Sequence, residues 1–282
     1  MGLSVSTDDV GVLLKHPLLS ILVVGITISV HATMYVVLRA TTQWPRRISL
    51  LSSVPGAQSF AIAIAEKHKS EPGLVASTAS ARFLLVLAVV PVLFFAFHGK
   101  LSEAGPSTSS GLSIGPSFAW LLLPLALGAL ARFIGVAGGE FIGAFIGAAF
   151  LSHQSLFSSQ LPPFVVWAAL LALGCSIGLR LSSATRTGLQ QSVFGGVVTA
   201  GAASLVVVPA AYLLERSIGL PMSLGILALA PGGVEAMSAI ALSTAPNAAL
   251  VPLLQTIRLA IVLLYLPAAA RILGDTNDPK TR

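Results

Sequence analysis

Residues 226–242 read ILALAPGGVEAMSAIAL, and the fold turns on how that stretch is understood. Most of it is apolar enough for a buried helix, yet Pro231, Gly232 and Gly233 interrupt it and a carboxylate, Glu235, follows directly. Proline removes a backbone donor and crowds the preceding turn. Glycine in a helix costs about 1 kcal/mol relative to alanine. A break placed at the centre of an apolar run therefore has to answer to something around it.

The composition says what surrounds it. Hydrophobic residues make up 55% of the 282-residue chain and charged residues 9%, against roughly 25% charged in soluble domains. Mean hydropathy is +0.90, and several apolar runs exceed the roughly 18 residues that read as membrane-spanning. The expected class is all-α: a polytopic helical membrane bundle whose first partner is the lipid bilayer.

The net charge of +6 does not point to nucleic acid. Basic residues stand in ones and twos at the ends of apolar runs: Arg46 and Arg47, Lys67 and Lys69, Arg180, Arg186, Arg271. That is the placement of topology-setting charges, and no basic run or zinc pattern accompanies it. The single cysteine, Cys175, rules out an internal disulfide or a CxxC site. Its setting, LALGCSIGL, suggests a packed core thiol. The first apolar run, 17–40, is too long for the core of a cleaved signal and follows Asp8 and Asp9, so no cleaved leader is expected.

Nine apolar runs emerge: 17–40, 48–66, 74–98, 117–133, 139–152, 161–180, 193–214, 219–242 and 247–273. Residues 99–116 (GKLSEAGPSTSSGLSIGP) read as a Gly/Ser/Pro-rich linker. The expected organisation is a first, shortened membrane repeat at 1–98, the linker, a fuller repeat at 117–273 and a disordered tail at 274–282. Trp44, beside Arg46 and Arg47, suits an interfacial anchor. Gly139, Gly143 and Gly147 recur every four residues, which puts them on one helix face open to close approach by a neighbouring helix, a second copy of the chain included. Glu140 beside them reads as a first-turn charge.

The division into repeats rests on self-similarity. Residues 54–91 align without a gap to 230–267, at an offset of 176. Pro55 meets Pro231, Gly56 meets Gly232, Arg82 meets Arg258, Pro91 meets Pro267, and upstream Pro45 meets Pro221. Alanine, leucine and valine could coincide by chance in apolar sequence; prolines, a glycine and an intramembrane arginine in one register do not.

If both interrupted segments crossed the membrane, the basic residues would divide between its two sides. If both are re-entrant, Arg46, Arg47, Lys67, Lys69, Arg132, Arg180, Arg186 and Arg271 gather on one side, leaving Lys15, Lys100 and Arg216 opposite. The positive-inside rule favours the re-entrant arrangement, with seven crossings, two hairpins and inverted repeats.

Irregular backbone survives at membrane depth only inside protein or against a water-filled cavity. Paired Gly/Pro interruptions in two repeats point to a transporter's central site. A half-helix beginning near Val234 would turn free N–H groups inward, a seat for an anionic small molecule or the polar atoms of one. Candidate site residues are therefore Pro231, Gly232, Gly233, Glu235 and Arg258, with Pro55, Gly56 and Arg82 opposite. Glu235 has two readings, a first-turn charge that complements the helix dipole or a binding or coupling carboxylate. Arg258 and Arg82 lie in apolar helices, where an arginine costs roughly 2.5–3.5 kcal/mol on insertion scales, so each must face protein or water. Arg258 could pair with Glu235. Arg82 has no matching acid, since Ser59 occupies the position equivalent to Glu235; helix-end carbonyls or an anion are its expected partners. His31, midway along the first run, reads as a hydrogen-bonded packing residue rather than a proton relay.

The motif APGGVEAM, followed by LLQTIRLAIVLLYLP, resembles the AbrB family of bacterial membrane proteins. That family is built of two repeats with a PGG turn, a nearby acid and methionine, and a downstream arginine. It is distinct from the small DNA-binding proteins of similar name. The resemblance implies a bacterial inner-membrane protein and brings two functional labels, regulation of gene expression and ammonia monooxygenase. The first repeat departs from the pattern at PGAQSF, where Ala57 and Ser59 replace Gly and Glu. The oxygenase label does not fit these residues: His16, His31, His68, His98 and His153 are dispersed, with no HxxxH, HxH or ExxH spacing. No metal, cofactor or catalytic residue is expected.

Overall fold

The computed structural model describes residues 17–98, 122–134, 186–244 and 250–274, with separate positions within 143–151 and 168–179. The linker 99–116, the tail beyond 274, Gly139, Glu140 and Arg180 lie outside the described residues.

The chain forms α1 (Pro17–Thr41), α2 (Arg46–Ser52), α3 (Gln58–Lys67), α4 (Pro72–His98), α5 (Leu122–Phe133), α6 (Arg186–Ile218), α7 (Met222–Leu229), α8 (Val234–Thr244) and α9 (Leu250–Gly274). Among the described residues there is no strand. Among the described residues, four helices are long and apolar enough to cross a membrane, over Ile21–Thr41, Pro72–Val90, Gly188–Ile218 and Leu250–Ile272. The two interrupted segments are the short pairs α2/α3 and α7/α8. Their half-helices begin 176 residues apart, Arg46 with Met222 and Gln58 with Val234, which is the offset of the sequence repeat.

Contacts along α4, α6, α7 and α9 fix how the two hairpins enter. Ser77 of α4 meets Ser192 of α6, Oγ to Oγ, at 2.5 Å. One turn further, a Cβ on Gly196 would lie 2.8 Å from the Arg82 nitrogen, so α4 and α6 run parallel. A Cβ on Gly195 would meet both the Trp44 ring, at 2.8 Å, and Thr78, at 3.1 Å. The start of α4 is therefore level with the chain just before α2. Glu71 and Leu74 share a cavity of about 410 Å³ with Thr41, Thr42, Gln43, Trp44 and Pro45. Since α3 leads into α4 there, it returns to the end from which α2 set out. The first pair is re-entrant.

The second pair enters from the other end. α7 follows α6 after a short turn and lies back along it, with Gly225 against Ala211 (a Cβ on Gly225 would lie 3.1 Å away). α9 passes Gly56 with Arg258 and His31 with Tyr265, and His31 in turn holds the Leu50 carbonyl. Advancing along α9 thus retreats along the first hairpin, so α9 starts at the end where α7 enters. Residues 245–249 are all that join α8 to α9, a link of at most about 22 Å. A straight α7–α8 rod would be about 33 Å long at 1.5 Å per residue. α8 must fold back, so the second pair is re-entrant too and the repeats are inverted.

Two apolar cores follow this plan. One joins α1, α4 and α6 to the second hairpin through Val30, Met34, Phe83, Leu214, Leu227 and Met237. The other joins the first hairpin to the latter half of α9 through Leu51, Ala61, Val262 and Leu266. Outward residues stay apolar, among them Ile21, Val36, Leu205 and Leu264 at 60–82% exposure, as lipid contact requires.

Cys175 departs from expectation: it is exposed, not packed. Leu171 and Leu179 nearby are exposed as well. A lipid-facing surface is as apolar as a core, so an apolar neighbourhood does not distinguish the two. Gly143 and Gly147 sit against Leu127 and Pro124 of α5, so their open face is filled within the chain.

Candidate functional site

The tips of the two hairpins meet in the middle of the bundle. Each tip is a short non-helical stretch, residues 53–57 and 230–233, and each leaves the carbonyls of its incoming half-helix without helical partners. An arginine of the same repeat answers both. In the first repeat Arg82 donates from Nη1 to Ser52 O at 2.8 Å and from Nη2 to Val54 O at 2.6 Å. In the second, Arg258 donates from Nη1 to Leu229 O at 3.0 Å and Ala230 O at 2.5 Å, and from Nη2 toward Gly232 O at 3.4 Å. Arg82 is fully buried and Arg258 is 2% exposed. A guanidinium with its fork on the negative end of a half-helix suits that burial, because its charge is met by carbonyl dipoles.

Two glutamines extend the pattern. Gln255, one turn before Arg258, accepts from its Nη2 and donates to Leu227 O at 2.6 Å. In the first repeat the amide comes from the hairpin instead: Gln58 donates to Ala79 O at 3.3 Å, and Ala79 is the positional equivalent of Gln255. Both arms tie the long helix to its own hairpin, from opposite partners.

The tip glycines differ in purpose. Gly56 has φ of +98°, a backbone that side chains resist. A Cβ there would lie 3.2 Å from Arg258 Nη2 and 3.9 Å from its Nε. Gly232 is not left-handed; a Cβ on it would press on the Met237 side chain at 3.0 Å. The motif's methionine is thus the cover over the motif's glycine. Ala57, equivalent to Gly233, caps α3 at φ −82°, which any residue adopts.

The structure therefore brings Pro55, Gly56 and Arg82 together with Pro231, Gly232, Gly233 and Arg258. Glu235 is the second residue of α8; its side chain lies outside what is described. Arg258 takes carbonyls and Gln255 as partners, and Arg82 takes helix-end carbonyls, one of the two kinds of partner expected for it. His31 is buried with both ring nitrogens engaged, Nδ1 with the Tyr265 hydroxyl at 2.5 Å and Nε2 with Leu50 O at 3.1 Å. Sequence reasoning did not single out Gln255, Gln58 or Tyr265. Gln255 carried a signal, a polar residue one turn from an intramembrane arginine on the same helix face.

Two buried donors at this crossing, Arg82 Nε and Arg258 Nε, have no hydrogen-bond partner, and neither has the buried Ser52 Oγ at the end of α2. Among the described residues no three His, Cys, Asp or Glu side chains are grouped to hold a metal.

An inverted-repeat membrane bundle with two re-entrant hairpins and an arginine behind each tip is the class this geometry defines. The sequence profile of the family described as "Transition state regulatory protein AbrB" matches residues 1–274, and the chain belongs to that family. It is 24% identical over 243 residues to the "Putative regulator AbrB" of Escherichia coli (strain K12), covering 84% of this chain and 68% of that protein. It is also 24% identical over 254 residues to the "Uncharacterized protein YhjN" of Bacillus subtilis (strain 168), covering 83% of this chain and 66% of that protein. The chain thus spans about two thirds of the length of each relative. No solved structure matches it.

Proposed function

We propose that the chain is a bacterial inner-membrane translocator of small molecules, with its central site where the hairpin tips meet. The observation that carries this reading is the contact of the two opposed tips at Arg258 and Gly56. Irregular backbone at that depth has a use when it lines a polar path. Opposed tips also give a site two gates, one per repeat, which alternating access needs.

The basic residues set its orientation. Arg39, Arg46, Arg47, Lys67, Lys69, Arg186 and Arg271 belong to the end where the first hairpin enters, and Arg216 to the other. By the positive-inside rule the first hairpin opens to the cytoplasm. No enzymatic step is assigned.

A second reading has its own support in the word "regulator" in the names quoted above. In that reading ligand occupancy of the same tips would be sensed by a partner rather than followed by flux. Proteoliposomes separate the two. Purified protein is exposed to panels of labelled organic acids, amines and neutral metabolites, alongside a variant with bulk at the tip, Gly232→Leu. Uptake by the wild type that the variant lacks supports translocation. Absence of flux throughout, with partner signalling altered by the same variant in cells, supports regulation.

A further inference from the structure

The end of the bundle where the first hairpin enters holds a cavity of about 410 Å³ that shares no residue with the hairpin tips. Its walls come from the end of α1 and the link behind it, the start of α2, the turn before α4 and the outer side of α6. Both roots of the first hairpin therefore meet α6 across one hollow. Small-molecule sites run from roughly 300 to 1,000 Å³, so there is room for a compact polar group.

The lining selects for a cation. Glu71, in the wall, is exposed and takes φ +41°, a left-handed backbone uncommon for glutamate. Its carbonyl accepts from the Leu74 and Val75 amides at 3.1 and 3.3 Å, while among the described residues nothing engages its carboxylate. The acid is thus held at the cavity and left out of the capping of α4. Backbone strain of this kind gathers at functional sites. Two aromatic residues, Trp44 and Phe194, share the lining, and aromatic faces attract ammonium groups within about 6 Å. α1 ends there as well, at Thr41, with the negative end of its peptide dipoles. Among the described residues no lysine or arginine lines the cavity.

Position says which kind of cation. Phe194 is 51% exposed and stands beside Val193 and Val197, at 47% and 50%, on the outward face of α6. The cavity therefore borders lipid at the end of a membrane helix. Arg47 and Lys69 flank it in the chain without lining it, as suits the phosphate that adjoins a headgroup amine. The crossing further in carries two buried arginines, which would repel a cationic cargo. We propose that the cavity binds the ammonium of an ethanolamine phospholipid headgroup, with Glu71 as its counter-ion and the phosphate outside. One lipid then ties both roots of the first hairpin to α6. This site is independent of the translocator reading and stands with or without flux.

The test uses the full-length protein in detergent, with thermal unfolding followed against dioctanoyl phosphatidylethanolamine, dioctanoyl phosphatidylglycerol and free ethanolamine. The ethanolamine lipid is expected to raise the unfolding temperature saturably. The glycerol lipid, with the same chains and no ammonium, is not. Glu71→Gln keeps the bulk of the side chain and removes its charge, and should weaken binding of the ethanolamine lipid about five- to tenfold. Equal effects of the two lipids on the wild type, or unchanged affinity in Glu71→Gln, overturn the proposal. Free ethanolamine acting at the same concentration as its lipid also overturns it, and makes the ligand a soluble amine. The contrast between lipids in the wild type decides alone if the variant is too unstable to measure.

Discussion

Arg258 rests on Gly56: its Nη2 lies 3.2 Å from the position a Cβ would take there, so the arginine that closes the second hairpin also bears on the tip of the first. Two short loops that would be unstable alone in hydrocarbon are braced through one side chain. The bundle is held at its centre by that contact and at its flanks by α6, which packs on α1, α4 and α7.

Gly56→Ala should weaken this brace twice over. It forces alanine into φ +98° and pushes a methyl into the guanidinium. Backbone strain of this kind costs on the order of 1–3 kcal/mol. Gly25→Ala meets nothing within 4 Å and should be neutral or stabilising, by about 1 kcal/mol at most. Fluorescence-detected size exclusion after heating should separate the two variants clearly.

Arg82→Ala leaves the Ser52 and Val54 carbonyls without donors. Each orphaned buried group costs about 1–3 kcal/mol, so folded yield in detergent should fall sharply. Arg82→Lys should recover only part of it, because a single ammonium lacks the planar fork that reaches both carbonyls. A full rescue by lysine would mean that charge alone matters at this position.

His31 and Tyr265 join α1 to α9 through one hydrogen bond and tilted rings 5.6 Å apart. Tyr265→Phe should cost about 1 kcal/mol. In a double-mutant cycle with His31→Leu, the coupling should be about 0.5–3 kcal/mol. A coupling near zero would show that the two residues contribute independently.

Gly196→Val should separate α4 from α6, since even a Cβ there lies 2.8 Å from the Arg82 nitrogen. Gly201→Val faces open space and is the matched control. Crosslinking between cysteines at Ser77 and Ser192, whose hydroxyls touch, should be efficient in the control and reduced in the Gly196 variant.

Much of this architecture was legible in the residues. Prolines, a glycine and an arginine repeating at offset 176 gave both hairpins, and the unequal placement of basic residues gave their inverted entry. The partners of the arginines were harder to read. An acid four residues beyond a proline is visible as a letter, whereas the carbonyls of Ser52, Val54, Leu229 and Ala230 belong to every residue type and leave no mark in sequence. Tyr265 escaped notice for a related reason, because its hydroxyl is recognised only once α9 is laid beside α1. Cys175 misled because small and apolar neighbours describe a lipid face as well as a core.

The most direct test of the opposed-hairpin account is accessibility from each side of the membrane. With Cys175 replaced, single cysteines are placed at Gln43 and Lys69, which flank the first hairpin, and at Ser217 and Thr244, which flank the second. Inverted and right-side-out vesicles are then treated with a membrane-impermeant maleimide. The account predicts that Gln43 and Lys69 label from the cytoplasmic face alone and that Ser217 and Thr244 label from the opposite face alone. If the two members of either pair label from different faces, that segment crosses the membrane and the account is wrong.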